Sequence, residues 1–110
     1  VARILAVVSD LMLASRVSES LRAAGHEVTL SPALPAEVNA EVNAEAIVCD
    51  LDSADAKAVA ATGLPTLGFY SHVDIAAKQE AEAAGFDLAV PRSRMSRELP
   101  ELVAKLLAQS

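Results

Sequence analysis

The sequence predicts an α/β fold, a three-layer (βα)5 sandwich on a parallel five-stranded sheet of order 2-1-3-4-5. Three observations lead there. Short apolar runs alternate with segments of helical period along the whole chain of 110 residues, and strict alternation of strand and helix gives a parallel sheet covered on both faces. Ile4-Leu5-Ala6-Val7-Val8 and Ala46-Ile47-Val48-Cys49 are apolar throughout and give way to acids, at Ser9-Asp10 and at Asp50. Strands buried on both faces read this way where they surface. His26–Leu30 and Phe86–Val90 are instead mixed in polarity, as edge strands are. With the apolar runs at the centre and the mixed runs outside, the order is the flavodoxin-like one, and the ends of strands one and three flank its switch point.

The elements follow in order. After the first strand, Leu13, Val17 and Leu21, with Ala14 and Ala24 beside them, form one stripe of a helix over Leu11–Ala24, and Gly25 supplies its stop. Asp10 stands where that helix wants an N-cap. His26–Leu30 is the second strand, and Ser31-Pro32 and Pro35 mark a loop. Ala36–Ala44 carries the echo EVNAEVNAE, spaced for a short helix. Beyond the central strand, Ser53–Thr62 reads as an alanine-rich helix capped by Ser53 and stopped by Gly63. Pro65–Tyr70 is the fourth strand, with proline allowed at its first position. Ser71 or Asp74 caps a helix running to Ala84 and ended by Gly85. The last helix starts between Ser96 and Pro100, since proline is tolerated in a first turn. Its core stripe is Leu99, Leu102, Val103, Leu106 and Leu107.

Composition bounds the function. The length suits one domain over residues 1–110. Hydrophobic residues make up 53% but aromatics only 3%, so the core is aliphatic and alanine-rich. A net charge of −6 argues against nucleic acid and against an anionic membrane as partners, because phosphate binding needs a basic surface. No apolar run approaches the ~20 residues of a membrane-spanning helix, and no signal peptide is visible. A cytoplasmic protein is expected. The lone Cys49, inside an apolar strand, is a small core residue. No glycine-rich phosphate loop or metal-ligand spacing supports a nucleotide or cobalamin binder.

The candidate site is the carboxyl edge of the sheet, where open α/β folds collect ligands. Asp10 and Asp50 face each other there, with Asp52 two residues on. His72, beside Asp74 at the end of the fourth strand, is either a metal or proton-transfer group or a solvent-facing histidine. Arg92, Arg94 and Arg97 form a basic cluster in an acidic protein. It is either a solvated loop with an internal salt bridge, or Arg92 turns inward while Arg94 and Arg97 face a partner.

On these residues the chain resembles a response-regulator receiver domain of the chemotaxis type along nearly its whole length. Receivers carry an acidic pair after strand one, a phosphoacceptor aspartate ending strand three, Thr or Ser ending strand four, and Lys-Pro after strand five. Ser9-Asp10 stands at the acidic pair, with serine for one acid, and Asp50 in IVCDLD stands at the phosphoacceptor. Counting from Pro65 puts Tyr70, or Ser71 with a one-residue shift, at the hydroxyl switch. From Gly85 the register GFDLAVPRS lays Arg92 on the lysine and Ser93 on the proline. The Met-Pro and glycine that follow the phosphoacceptor in receivers are replaced by Leu51-Asp52-Ser53-Ala54-Asp55, and the segment from Asp50 to Pro65 is shorter.

The resemblance implies a degenerate or pseudo-receiver, a signalling or scaffold module that is not an enzyme and binds another protein without regulated phosphorylation. The alternative is a working receiver phosphorylated on Asp50, with a histidine kinase as partner. Asp10 and Asp50 would then hold Mg2+, weakly, because affinity follows the number of charged ligands. Self-association is the other partner class. The surface from His72 to Glu82, with Arg94 and Arg97, is the expected partner face. A remote third reading is a small phosphatase, from the Asp-x-Asp of IVCDLDS, in which the first acid is nucleophile and the second acid/base. Last, Arg92 is expected to reach Asp50 across the fourth strand, a gap of roughly 10 Å at ordinary strand spacing. Its planar fork would lower the Asp50 pKa relative to a bare buried carboxylate.

Overall fold

Alternation along the strands sorts the apolar residues into two layers, and that sorting sets where the polar edge can lie. The computed structural model describes residues 2–35, 43–71 and 75–108. Its elements are β1 (Arg3–Val7), α1 (Leu11–Ala23), β2 (Glu27–Ser31), β3 (Ala46–Asp50), α2 (Ala56–Ala60), β4 (Thr66–Tyr70), α3 (Ile75–Ala84), β5 (Leu88–Pro91) and α4 (Arg92–Ala108). All strand pairs are parallel and the order is β2-β1-β3-β4-β5, as the apolar and mixed runs predict. β3 and β4 are buried along their whole length, while β2 at one edge is half-exposed.

One core layer joins Ile4, Ala6, Ala46, Val48, Leu67 and Phe69 to the inner stripes of α1 and α4. The other joins Leu5, Val7, Ile47 and Cys49 to Val59 of α2, Ala81 of α3 and Phe86. These two sets are the alternate positions along each strand, pointing to opposite faces. Among the described residues, no helix is long and apolar enough to cross a membrane.

The helix ends show how far local signals reach. Asp10 caps α1, its Oδ1 accepting from the amides of Met12 and Leu13 at 3.0 and 3.1 Å. Gly25 and Gly85 take left-handed φ of 94° and 104° just past α1 and α3, a conformation that costs glycine nothing. Residues 36–42 of the EVNAEVNAE helix, and Asp74 as a cap, lie outside the described residues.

Two expected boundaries are corrected. The helix after β3 is capped not by Ser53 but by Asp55, whose Oδ1 accepts from the Lys57 amide at 3.0 Å. Ser53 is drawn into a turn instead, with Ser53 N and Ala54 N both donating to the Asp50 carbonyl at 3.1 and 2.9 Å. A first helical segment begins at Arg92, directly after β5, and the helix expected to start between Ser96 and Pro100 is the second segment of the same element. Glu98 leaves helical geometry (φ −125°, ψ 15°) and splits it. Pro100 has no amide to give and its ring crowds the preceding turn, so it fits the first turn of the second segment and forces the break. The first segment escaped notice because arginine and serine carry no apolar period; its anchor is the buried Met95.

Candidate functional site

The site is built from the carboxyl ends of β3 and β5. β3 ends at Asp50, and the chain stays on the ladder one residue longer, the Leu51 amide donating to the Phe69 carbonyl at 2.9 Å. Asp50 Oδ1 accepts from the Asp52 amide at 3.0 Å, closing a tight turn. Leu51 and Asp52 lie in that turn, which leaves the Asp50 and Asp52 carboxylates both within reach of one cation. On the far side of β4, Arg92 follows the last residue of β5. Its Nη2 donates to Asp52 Oδ2 at 3.2 Å and lies 3.6 Å from Asp50 Oδ2. One guanidinium nitrogen therefore stands between two acids.

Burial sets the electrostatics. The Asp50 side chain is only 5% exposed, against 32% for Asp52 and 44% for Arg92. Burial pushes the Asp50 carboxyl above the usual carboxylate range; the Asp52 amide and the Arg92 charge pull it back, while the Asp52 and Asp10 charges add to the rise. Arg92 thus lowers the value relative to a bare buried carboxylate, and burial still wins. Cys49, behind Asp50, is pushed up to about 12 by burial and by the Asp50 charge. It stays a protonated thiol, a packing group in its core layer.

The other candidates are placed as follows. Ser9 and Asp10 are exposed after β1, and Asp10 spends one oxygen on the α1 amides. Tyr70 is buried as the last residue of β4. Asp50 pairs with Phe69 in the ladder, so alternation turns Tyr70 to the α2–α3 side, away from the acids. Ser71, next in the chain, is half-buried. Arg94 pairs with Glu98 at 3.6 Å one turn along, and Arg97 Nε donates to the Ser93 carbonyl at 3.3 Å. His72 lies outside the described residues.

A divalent cation fits this donor set poorly. A hard cation wants several converging oxygens. Here Asp10 is a helix cap, one Asp50 oxygen closes a turn, and the outer oxygens of Asp50 and Asp52 face a guanidinium. Among the described residues, no group of three or more His, Cys, Asp or Glu side chains could hold a metal ion.

The shorter contact of Arg92, to Asp52, was not foreseen. Its signal was the Asp-x-Asp spacing itself, which brings a second carboxylate round through the turn that Asp50 closes. A second feature also went unread. Gly68 interrupts β4 where Leu51 and Phe86 close in, and an isolated glycine in a strand often marks a close approach.

No protein-family model and no curated protein sequence matches the chain. Solved structures do match, several of them over nearly their whole length. A protein provisionally named a response regulator, from Chloroflexus aurantiacus, superposes with a TM-score of 0.84 at 23% identity, over 97% of this chain and 98% of that one. The chemotaxis response regulator CheY4 of Vibrio cholerae gives 0.79 at 23% identity, over 96% and 98%. A response-regulator receiver domain protein from Clostridium thermocellum gives 0.81 at 13% identity, over 99% and 96%. The fold is that of a receiver domain. In the receiver fold the carboxyl edge carrying Asp50, Asp52 and Arg92 is the edge where the sequence resemblance puts the phosphoacceptor. At these identities it is the architecture that is shared.

Proposed function

We propose that this chain is a receiver-like signalling module that works through protein–protein contacts without regulated phosphorylation of Asp50. The observation that carries this reading is the Arg92 guanidinium lodged between Asp50 and Asp52, 3.6 and 3.2 Å from their outer oxygens. A phosphoryl group or a cation at Asp50 needs the volume and the oxygens that this charge already engages. The guanidinium is permanently charged, and its one nitrogen Nη2 faces the outer oxygens of both acids. The site then serves as a latch that ties the end of β5 to the end of β3. Magnesium binding is accordingly weak, in the millimolar range or beyond.

Exposed apolar residues support a protein partner. Leu11 and Met12 are 86% and 76% exposed at the start of α1, and Ile75 is 65% exposed at the start of α3. In a parallel sheet these first turns lie at the same carboxyl edge as the latch. Arg94 and Arg97 remain candidates for the face extending from His72 to Glu82, although each is already held within α4.

The phosphoacceptor reading keeps one observation in its favour, a cation beside an aspartate buried at the carboxyl edge. Intact-mass measurement after incubation with acetyl phosphate and magnesium separates the two. The latch reading expects no phosphoryl increment; an increment lost in Asp50→Asn would establish the phosphoacceptor instead. Turnover of a generic aryl phosphate would revive the phosphatase reading.

A further inference from the structure

The latch needs both carboxylates aimed at one guanidinium, and the side chain between them points the other way. We infer that Leu51, seated over Gly68 against Phe86, is the positioning residue that aims Asp50 and Asp52 at Arg92. The inference rests on the latch reading and adds what holds the latch in register.

Three observations converge on it. Leu51 continues the β3 ladder, its N–H donating a hydrogen bond to the Phe69 carbonyl. Alternation therefore sends its side chain to the α2–α3 layer, where it packs against the buried cluster of Cys49, Val59 and Phe86. Gly68 leaves the room for it. A Cβ at position 68 would stand 2.7 and 2.8 Å from Leu51 Cδ1 and Cγ, and 2.8 Å from Phe86 Cε2. Real carbon contacts do not close to such distances, so any side chain at 68 must lift Leu51 or shift the ring. Because Leu51 is flanked by the two acids, a displacement that reaches its backbone rotates both. The acids are tied to Leu51 by the chain and to each other by the hydrogen bond that the Asp52 N–H donates to Asp50 Oδ1, and the remaining turn hangs from the Asp50 carbonyl. An apolar contact on one face of the sheet thus sets the aim of charges on the other.

The test reads the latch directly. Carboxyl 13C shifts of Asp50 and Asp52 are recorded with and without Arg92→Ala in five backgrounds: wild type, Leu51→Ala, Leu51→Met, Gly68→Ala, and the pair Leu51→Ala with Gly68→Ala. In wild type, removing Arg92 shifts both carboxyl signals. In Leu51→Ala and Gly68→Ala that Arg92-dependent shift is lost at Asp52. In the pair, the new methyl at 68 no longer meets leucine but still meets the Phe86 ring, so thermal stability recovers only in part while the shift stays lost. Leu51→Met, which keeps a long flexible apolar side chain, retains it. If Gly68→Ala fails to fold, the pair still reports. An undiminished Arg92-dependent shift in Leu51→Ala or in the pair overturns the inference and leaves the latch standing. No Arg92-dependent shift in wild type overturns the latch itself.

Discussion

Replacing Arg92 by alanine should cost about 1–2 kcal/mol at neutral pH, most of it through Asp50. At 3.6 Å two unit charges attract by about 1 kcal/mol in water and by about 5 kcal/mol at an effective dielectric constant of 20. The Arg92 side chain is 44% exposed, so its head is screened and the upper figure does not apply. Ordering a long arginine costs up to about 2 kcal/mol of rotamer entropy. The Asp52 contact, with both partners partly exposed, belongs with surface pairs worth about 0.2–1 kcal/mol. What remains is a coupling of about 1 kcal/mol between Arg92 and the buried Asp50, plus a fraction for Asp52. Urea denaturation of wild type, Arg92→Ala, Asp50→Asn and the double variant isolates the first part, since the Asp52 contribution cancels in the cycle. Additivity within about 0.3 kcal/mol would refute the argument, because it would mean that Asp50 does not feel the guanidinium.

Two further outcomes follow from the same geometry. Because the Asp50 carboxyl is raised in the fold, the native state holds its proton more tightly than the unfolded chain does. Its contribution to stability is thus fully present below the ordinary carboxylate pKa and is lost as pH rises through the raised value. Asp50→Asn should accordingly gain on wild type as pH rises from the acid side to neutrality, in urea midpoints taken across that range; a flat difference would contradict the burial argument. Asp10→Ala removes the oxygen shared by two α1 amides and should cost about 1 kcal/mol by thermal melting. Asp10→Asn, which keeps a capping oxygen, should recover most of that loss, whereas equal losses would point to a charge role at the site.

The sheet was legible because its signals were local and redundant. Ile4–Val8 and Ala46–Cys49 could be buried only at the centre, and the mixed His26–Leu30 only at an edge. Gly25 and Gly85 stop their helices for reasons internal to each residue. Boundaries failed where two local rules competed. Ser53 and Asp55 are both good caps, and the turn that Asp50 organises took Ser53 for itself. The segment Arg92–Arg97 has helical geometry without an apolar period, held by Met95 and by pairs such as Arg94–Glu98. The site was legible to the extent that it lies along the chain. Asp50 and Asp52 follow from one strand end, and strand order brings Arg92 near them. That Arg92 comes closer to Asp52 than to Asp50 is set by placement in three dimensions that neither segment spells out. The seat of Leu51 depends on a glycine on a neighbouring strand, and no pattern within either segment reveals that pairing.

Beryllofluoride with magnesium mimics a phosphoryl group on an aspartate without needing a phosphodonor, so it asks directly whether the site can be occupied. The measurement is a 1H–15N spectrum of the wild-type chain, before and after addition of both reagents at saturating concentration. A latched site predicts that the amides of Asp50, Leu51, Asp52, Ser71 and Arg92 stay where they are. Concerted, saturable shifts at those amides, absent in Asp50→Asn, would show that the guanidinium yields to a phosphoryl-like group and that the chain is a switching receiver.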